Sequence, residues 1–322
     1  MKANTNQKLV ELVLRNIPFN VKPVSFLMES LDLSRESAYR RIRGEIPFSI
    51  EEIAQLSYLL KFSIDEVMIG MRKDRAFFDF IPETSDSCSA FLLMLQKSYN
   101  RIGTIINSGD SETLCAFNRI LPICTVFQNQ IFKFTYYKWV HQNKEVSSNQ
   151  DFSDFTIPQE LIEWQKKLQL VIKRFNNATL IFDPNIFLNL IKDITYYHQR
   201  ALINNTDLAI LKEELLLLIE LYENIARSGV FGQNAYIYLY LSPLCVNANI
   251  GYASYANTCE SLFWIFTVNP IFISNTEIFA IQKKWLNSLK RQSTLISQSN
   301  EILQTEFFNT QRNYLNSCLK GF

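Results

Sequence analysis

The first 70 residues contain signals for starting and ending helices, and these signals lie so close together that only short helices fit between them. Ser49-Ile50-Glu51-Glu52 and Ser63-Ile64-Asp65-Glu66 are capping boxes, in which a Ser and a Glu satisfy the free backbone groups at a helix start. Ser34 opens an earlier helix, which Gly44 ends. We therefore expect residues 6–70 to form a compact bundle of five short helices.

Positive charge is concentrated in one short part of this bundle. The net charge of the whole chain is only +1, so binding to nucleic acid would have to come from a local patch. Residues 1–75 contain 12 Lys and Arg against 10 Asp and Glu. Four of these cations lie within nine residues, in the helix that begins at Ser34: Arg35, Arg40, Arg41 and Arg43.

Residues 24–69 read VSFLMESLDLSRESAYRRIRGEIPFSIEEIAQLSYLLKFSIDEVMI. This segment resembles the lambda-repressor-like (XRE-type) helix-turn-helix family, with the turn at residues 31–34 and the recognition helix at residues 34–43. The family usually has Gly in the turn, where this chain has Asp32. Because Asp tolerates the left-handed backbone conformation better than most residues, we expect the turn to form. The resemblance implies nothing about residues 80–322.

The recognition helix has one face suited to a core and one suited to DNA. At about 100° per residue, Ala38 and Ile42 lie on one side and Arg40 lies on the other. An exposed Arg can enter the major groove and bind guanine through two hydrogen bonds. The alternative is an Arg-rich, solvated helix of an ordinary bundle. The predicted DNA-binding residues are Lys22, Ser34, Arg35, Glu36, Ser37, Tyr39, Arg40, Arg41 and Arg43.

The rest of the chain reads as a larger, helix-rich domain. Only 8 Gly and 9 Pro occur in 322 residues, which favours long helices. The pattern predicts helices at 88–107, 111–120, 123–142, 158–176, 184–203, 207–227, 276–291 and 296–318. Strand signals occur in YIYLYL at 236–241 and LFWIFTV at 262–268, and residues 179–182 could form another strand.

We therefore predict a mainly α protein. Its N-terminal five-helix helix-turn-helix bundle would be followed by a helix-rich domain with a small antiparallel sheet in its C-terminal half. The expected boundaries are a DNA-binding domain at 1–75, a linker at 76–89, and a sensing and dimerisation domain at 90–322.

No motif for catalysis, nucleotide binding or metal binding occurs in the sequence, so we expect no enzyme activity, no cofactor and no metal. His141 and His198 have no ligands at metal-site spacing and read as ordinary helix residues. The six cysteines show no paired spacing, which indicates free thiols and a cytoplasmic location. Glu213, Glu214 and Glu220 read as the solvated face of a Leu-rich helix.

The helix at 207–227 has apolar residues at heptad spacing, which allows two interpretations. The stripe could be a dimer seam, or it could be the inner face of a helix buried in its own domain, because further Leu and Ile residues broaden it. The residues of the stripe are Leu208, Leu211, Leu215, Leu218, Tyr222 and Ile225.

The segment from 236 to 255 combines tyrosines with amides, which could line a ligand pocket. Because Tyr suits strands, an amphipathic sheet face is the alternative. The candidate ligand-binding residues are Tyr236, Tyr238, Tyr240, Asn247, Asn249, Tyr252 and Tyr255.

These patterns predict a cytoplasmic, sequence-specific DNA-binding transcriptional regulator. Its partners would be double-stranded DNA, a second copy of the chain, and a small-molecule or peptide effector, with no membrane involved. The alternative is an interaction protein, such as an antitoxin-like or phage-type factor, whose C-terminal domain binds another protein.

Overall fold

The computed structural model divides the chain into two compact units, Met1–Phe77 and Phe78–Phe322. The described residues are 2–17, 21–60, 62–63, 86–143, 145, 147, 149–175, 177–232, 235–256, 258–266 and 269–319. The predicted fifth helix of the bundle lies outside these residues, and so does its capping box apart from Ser63. Residues 76–85 of the predicted linker also lie outside the described residues.

The described part of the first unit contains four helices around one small core. They are α1 (Lys2–Asn16), α2 (Pro23–Leu31), α3 (Arg35–Ile42) and α4 (Ile50–Leu60). Each helix contributes apolar residues from one face, as expected for a bundle of amphipathic helices. The most deeply buried side chains are those of Val13, Leu27, Ala38 and Leu56.

The connection between α2 and α3 is a tight turn of three residues. Asp32 ends α2 in the left-handed conformation, with φ 50° and ψ 47°, and its N–H donates to Met28 O. Ser34 then caps α3, because its Oγ accepts a hydrogen bond from the amide of Ser37 at 3.2 Å. The prediction that Asp32 would adopt the left-handed conformation is confirmed.

The second unit alternates helices with the strands of one sheet. Its elements are α5 (Ser87–Asn107), β1 (Ser111–Phe117), a short 3-10 helix (Pro122–Cys124), α6 (Asn129–Gln142), α7 (Gln159–Ile172), β2 (Ala178–Phe182), α8 (Leu188–Gln199), α9 (Asn205–Ser228), β3 (Val230–Phe231), β4 (Ala235–Leu241), β5 (Ile250–Tyr255), β6 (Thr258–Ile265), β7 (Asn269–Ile273), α10 (Thr276–Gln292), β8 (Thr294–Leu295) and α11 (Glu301–Cys318).

The predicted fold class is wrong in its description of the sheet. The sheet has eight strands within the described residues, runs from residue 111 to residue 295, and is mixed. The order is β3-β4-β2-β1-β5-β6-β7, with β8 paired to β4. Strands β4, β2 and β1 are parallel, and all other pairs are antiparallel.

The error has a physical cause in the central strands. Residues 111–120 read as a helix, whereas residues 111–117 form β1, and its last four residues are all buried. A strand covered on both faces lacks the alternation of polar and apolar residues that marks a half-exposed strand. Its short apolar run therefore cannot be distinguished from a buried helix by periodicity.

The two faces of the sheet contact different cores. Cys115 and Phe117 of β1 face the main core of the unit, together with the helices α5, α6, α7 and α9. Leu114 and Ala116 face a smaller core that is closed by α10. The heptad stripe of α9 is buried in the main core, with Leu211, Leu215 and Leu218 all fully buried. That stripe is therefore an inner face of the unit and not a dimer seam.

One predicted solvated residue of α9 has a structural role. Glu214 accepts hydrogen bonds from the amides of Gln130 at 2.6 Å and Ile131 at 2.9 Å. Its carboxylate thus satisfies free N–H groups in the first turn of α6. Glu213 and Glu220 are exposed, as the sequence predicts.

Candidate DNA-binding surface and internal cavity

Helix α3 presents basic and aromatic side chains to solvent and apolar side chains to the core. Arg35, Arg40 and Arg43 are exposed, and Tyr39 is 40% exposed beside them. On the opposite side, Ala38 is fully buried and Ile42 packs against the core, where the periodicity places both. Glu36 is exposed in the first turn of the helix.

Both ends of α3 are held by short hydrogen-bonded motifs. The capping Ser34 also donates its hydroxyl hydrogen to Ser37 Oγ at 3.0 Å. At the other end Gly44 has φ 73°, a conformation that strongly favours glycine, and Asn6 of α1 donates to its carbonyl oxygen at 3.1 Å. The exposed residues of α3 therefore project from a helix that is fixed at both ends.

The exposed arginines are only loosely engaged by other residues. Arg43 Nε lies 2.7 Å from Glu45, and Arg40 Nε lies 3.6 Å from the same carboxylate. All three side chains are about half exposed, and ion pairs between such groups contribute little to stability. The Arg35 guanidinium lies over the Tyr39 ring at 5.8 Å. These groups can exchange their present partners for nucleic acid at small cost.

Arg41 is placed differently from the other arginines. It is a predicted DNA contact, yet its guanidinium donates two hydrogen bonds to Glu52 of α4, at 3.0 and 2.6 Å. The two side chains are only 15% and 16% exposed. Glu52 also accepts from the amide of Ser49 at 2.8 Å, so the predicted first capping box is confirmed. Arg41 therefore joins α3 to α4, and we leave it out of the proposed contact surface.

The carboxylate of Glu52 is held in its charged form. Burial by itself would raise the pKa of Glu52, but the hydrogen bonds from Arg41 and from the Ser49 amide outweigh it. The pKa of Glu52 is therefore lower than usual.

Lys22 is exposed immediately before the first residue of α2. Its position at a helix start leaves the ammonium group free to extend outward from the unit.

The predicted ligand-binding residues do not converge on one site. Tyr236 and Tyr238 are about half exposed, and Asn247 is exposed. Asn249 is buried, and its side chain accepts a hydrogen bond from the amide of Asn118. The Tyr240 ring lies under the Lys290 ammonium group at 5.2 Å. None of these five residues lines the cavity of the second unit.

A cavity of about 200 Å³ lies inside the second unit, between the helices and one face of the sheet. Helix α5 contributes residues from one side: Ser98, Arg101, Ile102 and Ile105. Helix α9 contributes Leu221, Tyr222 and Ile225, and the sheet contributes residues from β1 to β7. The wall also includes the aromatic residues Phe117, Phe127, Phe175, Phe231, Trp264 and Phe272.

Of the predicted ligand-binding tyrosines, two adjoin this cavity. Tyr252 belongs to the lining, although its ring packs edge-on against Phe279 and its hydroxyl donates to Glu112 at 2.6 Å. Tyr255 donates to Glu260 at 2.8 Å, and Glu260 is itself a lining residue.

The charged groups of the lining neutralise each other. Arg101 of α5 donates to Glu260 of β6 at 2.6 Å and to the Tyr255 hydroxyl at 2.7 Å. Glu260 is 5% exposed, and the Arg101 guanidinium also lies over the Phe272 ring at 4.5 Å. The cavity therefore has an ion pair in its wall rather than an isolated charge.

Both cysteines of the lining are neutral thiols. Burial raises the pKa of Cys115 to about 12, and it also raises the pKa of Cys124. Gly251 on the neighbouring strand leaves the space that the Cys115 side chain occupies, because a Cβ at this position would collide with the sulfur atom.

The sequence contained one signal for this cavity that periodicity could have revealed. Glu260, Leu262 and Trp264 are two positions apart along β6, so the Glu260 carboxylate lies on the same face of the sheet as two large apolar side chains. Most other lining residues are ordinary apolar core residues in sequence, and they come together only when distant elements pack.

Among the described residues, no group of three His, Cys, Asp or Glu side chains could hold a metal ion. Within the same part of the chain, no helix combines the length and apolar character needed to span a membrane. Comparisons with protein-family models, curated proteins and solved structures find no match to this chain.

Proposed function

We propose that this protein is a sequence-specific DNA-binding transcriptional regulator. In this proposal α3 enters the major groove of double-stranded DNA, and the second unit senses an effector and dimerises. The chain would act in the cytoplasm, where bacterial-type regulators of this kind meet DNA.

The observation that supports the proposal is the exposed face of α3. A short helix, fixed at both ends, follows a three-residue turn and presents Arg35, Tyr39 and Arg40 to solvent. Helix-turn-helix proteins use a helix in this position to read base edges, and Arg is the side chain that most often contacts guanine.

The proposed DNA-binding residues fall into three groups: those that contact bases, those that contact phosphates, and those that support the helix. Arg40 is exposed in the last turn of α3, and we assign it the contact with base edges. Lys22, Arg35 and Arg43 lie near the helix ends, where cations contact phosphates and orient the protein. Ser34 and Ser37 would contribute mainly by holding the first turn of α3 in place.

The test is selection of bound sequences from random duplex DNA with the full chain, followed by titration of the selected site. Arg40→Ala should weaken specific binding by about 1–3 kcal/mol while thermal unfolding stays unchanged. Arg40→Lys keeps the charge but loses the two-hydrogen-bond geometry, so it should lower discrimination between sites more than total affinity.

Failure to enrich any sequence would overturn the proposal and favour the alternative of a protein-binding factor. Equal affinity of Arg40→Ala and the unmodified chain would remove Arg40 from the contact surface.

A further inference from the structure

We propose that the cavity of the second unit is a binding site for a small, neutral and mainly hydrocarbon molecule. This inference names the effector class of the proposed function and rests on that function for its regulatory meaning. The binding itself does not depend on DNA.

The volume limits the size of the ligand. An apolar protein cavity of about 150 Å³ binds benzene. The cavity here is about 200 Å³, somewhat larger than that but below the range of about 300–1,000 Å³ of drug-sized pockets. By this comparison the space suits a molecule of roughly eight to ten non-hydrogen atoms.

The wall chemistry excludes a charged ligand. Arg101 and Glu260 are the oppositely charged groups of the described lining, and they are paired with each other at 2.6 Å. Because the charge of Arg101 is already balanced by Glu260, a ligand carboxylate or ammonium would add an uncompensated charge to a largely apolar space, which is unfavourable. The neutral thiols of Cys115 and Cys124 provide no compensating charge.

The surface that the lining presents to the cavity is almost entirely apolar. Ser98 Oγ, Thr113 Oγ1 and Trp264 Nε1 belong to lining residues and have no hydrogen-bond partner among the described residues, but these three atoms are buried beneath that surface. A mainly hydrocarbon ligand therefore matches the wall of the cavity.

The test measures binding of 2-octanone to the full chain by isothermal titration calorimetry, without DNA. Its charged analogue octanoate is the comparison ligand. We expect one site per chain for 2-octanone, an increase in melting temperature, and at least tenfold weaker binding of octanoate.

Two matched variants locate the site. Ala253 lines the cavity, and Ala253→Leu should take up part of the space and weaken binding at least tenfold, whereas the same change at the exposed Ala280 should leave binding unchanged. If Ala253→Leu does not fold, the smaller change Ala253→Val serves instead and should weaken 2-octanone severalfold.

Absence of saturable binding by 2-octanone would overturn the inference and indicate a space filled by water. Unchanged binding by Ala253→Leu would place the ligand elsewhere, and octanoate binding as tightly as 2-octanone would refute the neutral ligand class. Because no DNA is present, these results stay separate from the outcome of the DNA selection.

Discussion

Neighbouring arginines of α3 have different structural roles. Arg40 is about half exposed, whereas the next residue, Arg41, is 15% exposed and forms a two-hydrogen-bond ion pair with Glu52. The same side chain is therefore free to meet a partner at one position and joins two helices of the unit at the next. Glu52 supports this cohesion twice, since it also completes the capping box of α4.

Replacing Glu52 should reduce the pH dependence of the first unit's stability. The pKa of Glu52 is lowered by folding, so its stabilising contribution is present above the unfolded pKa of about 4.3 and is lost as pH falls through the folded pKa. Glu52→Gln should cost about 2 kcal/mol near neutral pH and flatten the loss of stability on acidification. Calorimetric scans between neutral and acidic pH would measure this.

All four tryptophans lie in the second unit, so their fluorescence identifies its unfolding separately from that of the first unit: Trp139, Trp164, Trp264 and Trp285. Glu29→Gln is the control, because Glu29 is exposed on α2 and makes no ion pair with Arg41. A pH dependence that is unchanged in Glu52→Gln would contradict the role given to this carboxylate.

At the scale of elements, side chains from one helix complete the ends of another. Glu214 projects from the middle of α9 to the first turn of α6, where it accepts two backbone hydrogen bonds. The backbone N–H groups at this helix start find their acceptor only because the two helices pack side by side, and no local sequence motif predicts that. This explains why Glu214 reads as a solvated residue in sequence.

Removing the Glu214 carboxylate should destabilise the second unit. Glu214→Ala leaves the amides of Gln130 and Ile131 without their acceptor, which should cost about 1–2 kcal/mol. The adjacent and exposed Glu213 provides a control, since Glu213→Ala removes a charge from the same helix without touching α6. Urea unfolding monitored by Trp fluorescence compares the two. Equal midpoints for both variants would show that the cap contributes nothing.

For the whole molecule, we expect a homodimer. One recognition helix contacts too few base pairs to select a site among roughly 10⁶ or more competing genomic sites, and helix-turn-helix proteins solve this by binding two half-sites. The buried stripe of α9 is unavailable for such a contact, so the second unit would use its outer surface. Apolar residues are exposed there, including Ile281 and Trp285 of α10.

Sedimentation of the full chain tests this expectation. We expect a species of twice 37.6 kDa at tens of micromolar protein, and binding of two protomers to the selected DNA. Leu215→Ala, in the buried stripe of α9, should lower stability without changing the oligomeric state. A monomer under these conditions would rule out the dimer. If Leu215→Ala leaves the protein folded but dissociates the dimer, α9 would instead form part of the dimer interface.

The sequence alone determined the architecture of the first unit as far as the structure describes it. The cap at Ser34, the left-handed turn at Asp32 and the helix end at Gly44 are interactions between residues a few positions apart. Local backbone preferences decide such features, so periodicity and capping signals are sufficient to predict them. The face of α3 that is exposed follows from the same periodicity.

Only the tertiary structure decided the central sheet, the role of Arg41 and the cavity. Strands β1 and β2 pair in parallel although sixty residues separate them, and their covered faces leave no alternating pattern. Arg41 and Arg40 are chemically equivalent in sequence until α4 brings Glu52 to one of them. The cavity exists because helices and strands from residue 98 to residue 272 surround one space, and that arrangement depends on long-range packing, which no local sequence pattern encodes.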